Sequence, residues 1–131
     1  MRLMHYGPFG DELVASELPD DGTLTAEARE AFSNGHCHSF ALALRQLTGW
    51  QIMGLIGPDR RTVTHVYCRK PDGVTYVDIK GECETDSLAM LRDLTGCKFR
   101  GKGWLKPDVA AALPFAQARL KEMGVQTSPP D

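Results

Sequence analysis

The stretch Thr64-His65-Val66-Tyr67-Cys68-Arg69-Lys70-Pro71-Asp72-Gly73-Val74-Thr75-Tyr76-Val77-Asp78 decides how this chain is read. Two runs of β-branched and aromatic residues flank Lys70-Pro71-Asp72-Gly73, a strong reversal sequence. The pattern predicts a β-hairpin with strands over 61–69 and 74–79. A four-residue loop over 70–73 pairs Arg69 with Val74 and sets His65 directly opposite Asp78, with Cβ atoms about 4.5–5.5 Å apart. A two-residue loop at Asp72-Gly73 moves the partner to Lys80 and leaves Asp78 diagonal to His65 on the same face. A three-residue loop reverses the parity and separates them. Val63, Tyr67 and Tyr76 fall on the face of His65, and Val66, Val77 and Ile79 on the other. Both faces are apolar enough to be covered, so the His–Asp pair is expected to be partly desolvated.

Upstream lies the clearest helix, in Cys37-His38-Ser39-Phe40-Ala41-Leu42-Ala43-Leu44-Arg45-Gln46-Leu47-Thr48. Phe40, Leu44 and Leu47 recur at spacings of four and three, and Gly49 stops the run. Cys37 thus opens the helix. Unpaired backbone N–H groups and the helix dipole favour an anion there. A cysteine in that position can fall from a pKa of about 8.5 into the range of roughly 3.5–7.5 and become a nucleophile. The same N–H groups can hold an oxyanion, with the Asn34 side-chain amide as a second donor. The plainer readings are a small buried residue at Cys37 and an Asn-Gly turn at Asn34.

Together, Gly35-His36-Cys37-His38-Ser39-Phe40-Ala41-Leu42-Ala43-Leu44, Thr64-His65-Val66-Tyr67 and Asp72-Gly73-Val74-Thr75-Tyr76-Val77-Asp78 resemble the papain-like fold superfamily of cysteine enzymes. The chain order Cys, His, Asp is similar to its transglutaminase-like and arylamine acetyltransferase-like branches. The resemblance spans roughly residues 33–81. It implies an α+β fold with a papain-like, transglutaminase-like core, a helix packed on a small antiparallel sheet. It also implies a catalytic triad of Cys37, His65 and Asp78 performing acyl transfer through a thioester, with a protein, peptide or small amide as substrate. Small bacterial or phage members with this layout include peptidases, protein deamidases and acyl-transfer toxins.

Outside that region, residues 1–22 are Gly-, Pro- and acid-rich and read as an irregular arm. Thr25 caps a short helix through Phe32, which Ser33-Asn34-Gly35 breaks. Residues 50–56 suit a buried strand ended by Gly57-Pro58-Asp59. Asp86 is expected to cap a helix carrying Leu88, Leu91 and Leu94, stopped by Gly96. Residues 98–104 form a glycine-rich loop. Pro107 opens a final helical region to Met123, kinked or split by Pro114. Residues 126–131 are read as a frayed tail. No repeat or linker divides the 131 residues, so one domain is expected.

Fifteen Lys+Arg against seventeen Asp+Glu leave a net charge of -2, so no bulk positive field draws the chain to nucleic acid or membranes. The charge is nonetheless segregated: 11–30 is acidic and 98–106 is basic. That basic loop, interleaving Phe99 and Trp104 with cations, supports an alternative reading as a non-catalytic binding or inhibitory module of the effector type. Apolar residues make up 42 %, which argues against disorder. No run reaches the roughly 20 residues of a membrane span. The start shows no secretory core, so maturation in the cytosol is expected; delivery by a dedicated secretion machine leaves no readable mark.

His36, Cys37 and His38, with Cys68, Cys83 and Cys97, invite a zinc reading and a metal-stabilised nucleic-acid binder. Adjacent residues diverge, however, and there is no Cys-x-x-Cys knuckle, so no metal or cofactor is expected. His38 is expected to be exposed or capping. Cys68 and Cys97 are expected in the core, with Cys83 exposed.

Overall fold

In the computed structural model, residues 1–10, 12–86 and 88–127 are described. The elements in chain order are β1 (Arg2–Tyr6), β2 (Leu13–Glu17), α1 (Ala26–Ala31), α2 (Cys37–Thr48), β3 (Gln51–Ile56), β4 (Val63–Arg69), β5 (Thr75–Asp78), β6 (Gly81–Glu84), β7 (Leu91–Asp93) and α3 (Val109–Glu122). This is a mixed α+β fold. β1 and β2 pair as a separate hairpin, and the remaining strands form an antiparallel sheet in the order β6-β5-β4-β3-β7.

α2 forms where the apolar spacing placed it. Phe40, Ala41, Leu44 and Leu47 are buried, and Gly49 ends it at φ 78°. It packs on the sheet face of Ile52, Val66, Cys68, Val77 and Ile79, and on Ala112, Phe115, Ala116 and Leu120 of α3. Phe32, at the end of α1, meets Phe40 and Phe115 at ring-centroid distances of 5.8 and 5.2 Å. A fully buried phenylalanine stabilises by roughly 1.5–3 kcal/mol, so this trio anchors the three helices to one another. Met53, Tyr67 and Tyr76 cluster on the opposite face of the sheet.

Two turns share one construction. Asp72 Oδ1 accepts the N–H groups of Val74 and Thr75 while Thr75 donates its hydroxyl to Oδ2, and Asp59 does the same for Arg61 and Thr62. The turn of 70–75 closes with Lys70 N–H to Thr75 O at 2.8 Å, and Arg69 pairs with Tyr76 and Cys68 with Val77. The register is therefore two residues away from the one that sets His65 opposite Asp78. Pro71 has no N–H to offer the ladder, which leaves 71–74 as the loop. Asp78 stands diagonal to His65, on the same face.

The face assigned to Val63 is also corrected. β3 and β4 slip register between Leu55/His65 and Ile56/Val63, and the bulge turns Val63 to the α2 side, where it packs on the main core.

Residues 1–22 are not an irregular arm. Leu3 and His5 point inward from β1, and the buried His5 is satisfied by the Tyr6 carbonyl and the Ser16 hydroxyl, both at 2.7 Å. Gly7, Pro8 and Gly10 lie between the strands and Pro19 and Gly22 beyond them, so composition concealed the two strands. Among the described residues, the expected helix between Asp86 and Gly96 is absent. Leu91–Asp93 pairs with β3 instead, and Leu88 is 91 % exposed. The leucine spacing there fits a helix, but the open edge of β3 offers backbone partners for a short strand. β6, unexpected from sequence, pairs with β5 and places Cys83 beside Tyr76.

α3 starts at Val109 with Asp108 accepting the Ala111 N–H, and it continues through Pro114 as one helix. Gly22, at φ 81°, lies against the Pro114 carbonyl; a Cβ there would meet that oxygen at 2.2 Å. The contact ties the segment ahead of α1 to the middle of α3. Among the described residues, no helix is long and apolar enough to cross a membrane.

Candidate active site

α2 begins at Cys37 because Gly35, at φ 113°, redirects the chain after α1. A Cβ at Gly35 would come within 2.9 Å of the Leu105 side chain and 3.2 Å of the Tyr6 backbone, so only glycine lets β1 and residue 105 close in here. His36, the N-cap, makes no side-chain cap bond. Its Nε2–H donates to the Met4 carbonyl at 2.8 Å and its Nδ1 accepts the Ser39 hydroxyl at 2.7 Å, while Ser39 Oγ accepts the Asp108 N–H at 3.0 Å. This chain of bonds joins β1, α2 and α3 around the first turn of the helix. Burial and the neighbouring His38 hold the His36 pKa below its ordinary value.

β5 covers β4 only at Cys68 and Arg69, so the edge of β4 beyond them is open. The half-buried Cys37 comes to that edge, where the Val66 N–H, His65 and His38 bear on its thiol. Burial by itself raises the Cys37 pKa. Hydrogen bonding with His38 and His65, the His65 charge and the Val66 N–H outweigh it and bring the value down to about 6. The N–H groups of the first helical turn, which have no intrahelical partner, act in the same direction.

His65 donates Nε2–H to Asp78 Oδ2 at 2.9 Å, and both side chains are largely buried. Asp78 also accepts the Lys80 N–H on its other oxygen at 2.8 Å, which fixes the carboxylate. The Tyr67 ring stands edge-on to the imidazole at 5.2 Å. Burial lowers the His65 pKa, but bonds to Asp78 and Cys37 and their charges raise it to about 9. Burial likewise opposes ionisation of Asp78, and the His65 bond overcomes it, so its pKa lies below the usual value. With the thiol at about 6 and the imidazole at about 9, the favoured state between those pH values is thiolate beside imidazolium. Nε2 is committed to Asp78, which leaves Nδ1 as the nitrogen able to exchange a proton with sulfur.

Cys37, His65 and Asp78, separated by 41 positions in sequence, are thus assembled at one end of α2. Asn34 is near in sequence but contributes through its backbone: its carbonyl accepts the Tyr6 N–H at 2.9 Å. Among the described residues its side-chain amide makes no hydrogen bond.

His38 departs from expectation. It is neither exposed nor a cap but fully buried, with Nε2–H donating to the Leu105 carbonyl at 2.8 Å. Phe99 and Trp104 pack on its ring at 5.3 and 5.2 Å. That donation makes Nδ1 the lone-pair nitrogen, and Nδ1 is buried without a completed hydrogen bond. Its neighbour is the Cys37 thiol, whose proton the Nδ1 lone pair can accept; the Nδ1–H so formed donates to the thiolate, which is the sense in which His38 lowers the Cys37 pKa. The signal in sequence is only adjacency, and adjacency usually means divergence.

The remaining cysteines separate clearly. Burial pushes the Cys68 thiol up to about 12, and its Sγ–H donates to the Ala41 carbonyl. Cys83 is exposed, as expected, and Cys97 is exposed rather than in the core. Among the described residues, no group of three or more His, Cys, Asp or Glu side chains is placed to hold a metal ion. No protein-family model, curated protein or solved structure matches this chain.

Proposed function

We propose that this chain is a cysteine-dependent amidohydrolase or acyl transferase of the peptidase or protein/glutamine deamidase type, built on a papain-like core. The observation that carries the reading is the 2.9 Å bond from His65 to Asp78 beside a thiol that opens a helix. Buried catalytic pairs of this kind need opposed pKa shifts, and Cys37 and His65 have them. The Cys37 thiolate attacks an amide carbonyl carbon, forming a C–S bond and an oxyanion held by the first N–H groups of α2. His65 gives its Nδ1 proton to the leaving nitrogen as the C–N bond breaks, and a thioester remains. Water then attacks that thioester, His65 takes the water's proton, and the carboxylic acid leaves as the thiolate returns. An amine in place of water completes a transfer. Asp78 holds the imidazole in orientation and stabilises its charge throughout.

Alkylation of the four cysteines by iodoacetamide, mapped by mass spectrometry across pH, tests the reading. Cys37 is expected to show a midpoint near pH 6, which moves toward the ordinary value of about 8.5 in His65→Ala. The midpoint is the informative quantity, because a more acidic thiol is also intrinsically less nucleophilic and rates at one pH partly cancel. An ordinary midpoint at Cys37, or a lower one at another cysteine, refutes the triad. Ammonia release from glutamine-containing peptides, lost in Cys37→Ala, separates deamidation from backbone cleavage.

A further inference from the structure

Residues 97–107 form a groove of about 580 Å³ against α2. Its floor is Leu42, Phe99, Trp104 and Pro107, and Lys98, Arg100 and Lys106 stand around it. Among the described residues no acid lines it and none of these cations is in an ion pair. Four bases and no acid in 98–106, in a chain of net charge -2, therefore remain uncompensated on one surface.

The groove is preformed. Phe99 sits at φ 52°, a left-handed conformation that a residue with a Cβ keeps only when its surroundings hold it. Its ring is buried, edge-on to Trp104 at 4.9 Å and against His38 at 5.3 Å. The bond from His38 to the Leu105 carbonyl pins the far side of the loop. The residue that anchors this surface is thus the immediate neighbour of Cys37. Leu42 lies five residues beyond Cys37, about 7.5 Å along the helix axis and about 140° around it, so the groove and the thiol open on different sides of α2.

We propose that this groove binds an acidic peptide segment, its carboxylates against Lys98, Arg100 and Lys106 and an apolar side chain on the Trp104 floor. The link to catalysis rests on the function proposed above: an acidic stretch held here then anchors a substrate to the same helix that Cys37 opens. The binding itself does not depend on that function. A peptide fits better than single-stranded nucleic acid, because the Phe99 ring is buried inside the loop and leaves Trp104 without a second ring beside it for successive bases to stack on.

The probe is a fluorescein-labelled peptide of six glutamates interrupted by two phenylalanines, read by polarisation at low salt. A lysine counterpart and an unlabelled oligothymidylate serve as comparators. The acidic peptide is expected to bind at least about tenfold tighter than the lysine peptide and to weaken at least about tenfold as salt rises from roughly 50 to 500 mM. Charge reversal in Lys98→Glu/Arg100→Glu/Lys106→Glu is expected to abolish binding. The milder Lys98→Ala/Lys106→Ala pair, which asks less of the fold, is expected to weaken it several-fold. Equal binding of both peptides, unchanged affinity in the variants, or displacement by oligothymidylate at lower concentration than by unlabelled acidic peptide overturns the proposal. Cys37→Ala is expected to bind as tightly as the unaltered chain. Tight acidic-peptide binding with an unreactive Cys37 supports the groove and removes the catalytic reading; a reactive Cys37 with no peptide binding does the reverse.

Discussion

Replacing Asp78 by Asn keeps the size of the side chain and removes its charge, so it isolates what the carboxylate does to His65. The imidazole is raised from 6.5 to about 9. Burial opposes that shift, and Asp78 and Cys37 share the work of producing it. The Asp78 contact is a charge-assisted bond of 2.9 Å between side chains 25 % and 14 % exposed. Bonds of this class contribute about 1.5–3 kcal/mol, or about 1–2 pH units. Asp78→Asn should therefore lower the His65 pKa to between about 7 and 8, and Asp78→Asn/Cys37→Ala should lower it further. The assay is a titration of the His65 ring resonances by NMR. The His65 resonances are identified by their loss in His65→Ala.

The same shift governs stability. A raised imidazole pKa contributes in full below about pH 6.5, where the unfolded imidazole is also protonated, and the contribution is lost as pH rises through about 9. At the acid end, the lowered Asp78 pKa means its contribution disappears as pH falls through that value. A His65 that titrates near 6.5 in the unaltered chain, or one that Asp78→Asn leaves in place, refutes the reasoning.

Two further predictions rest on other contacts. Gly22→Ala places a Cβ at 2.2 Å from the Pro114 carbonyl oxygen at a positive φ, whereas Gly73→Ala meets nothing within 4 Å at nearly the same φ. Urea unfolding should show a cost of about 1–2 kcal/mol for Gly73→Ala and an additional 1–3 kcal/mol, roughly, for Gly22→Ala; equal losses would show that Gly22 is not packed on α3. His38→Gln can keep the bond to the Leu105 carbonyl while removing the ring nitrogen beside Cys37. It is expected to raise the midpoint of Cys37 alkylation while unfolding at a similar urea concentration, and an unmoved midpoint would reduce His38 to a structural anchor.

The mixture of legible and concealed features follows from which forces are local. α2 was readable in Phe40, Leu44, Leu47 and Gly49 because side-chain spacing and a left-handed stop act within one helix. The hairpin was readable because Asp72 organises its own turn. The register stayed open between pairing His65 with Asp78 and with Lys80, and pairing across strands chose the second, with Lys70 in the ladder and Pro71 starting the loop. β7 escaped because its leucines fit a helix and only the free edge of β3 makes a strand the better partner. The strands of 1–22 escaped because their inward residues are few, and one is a histidine whose ring is satisfied by Ser16, diagonal to it across the hairpin.

By itself, then, the sequence determined the α+β composition, the helix that Cys37 opens, and the shared face of His65 and Asp78, since side-chain alternation along a strand survives an even change of register. Only the tertiary structure decided that these groups meet. The bulge between β3 and β4, the short reach of β5 along β4 and the glycine at position 35 together bring the helix terminus to an open strand edge. The role of His38 was likewise decided there: the carbonyl that fixes its tautomer lies 67 residues away, at Leu105.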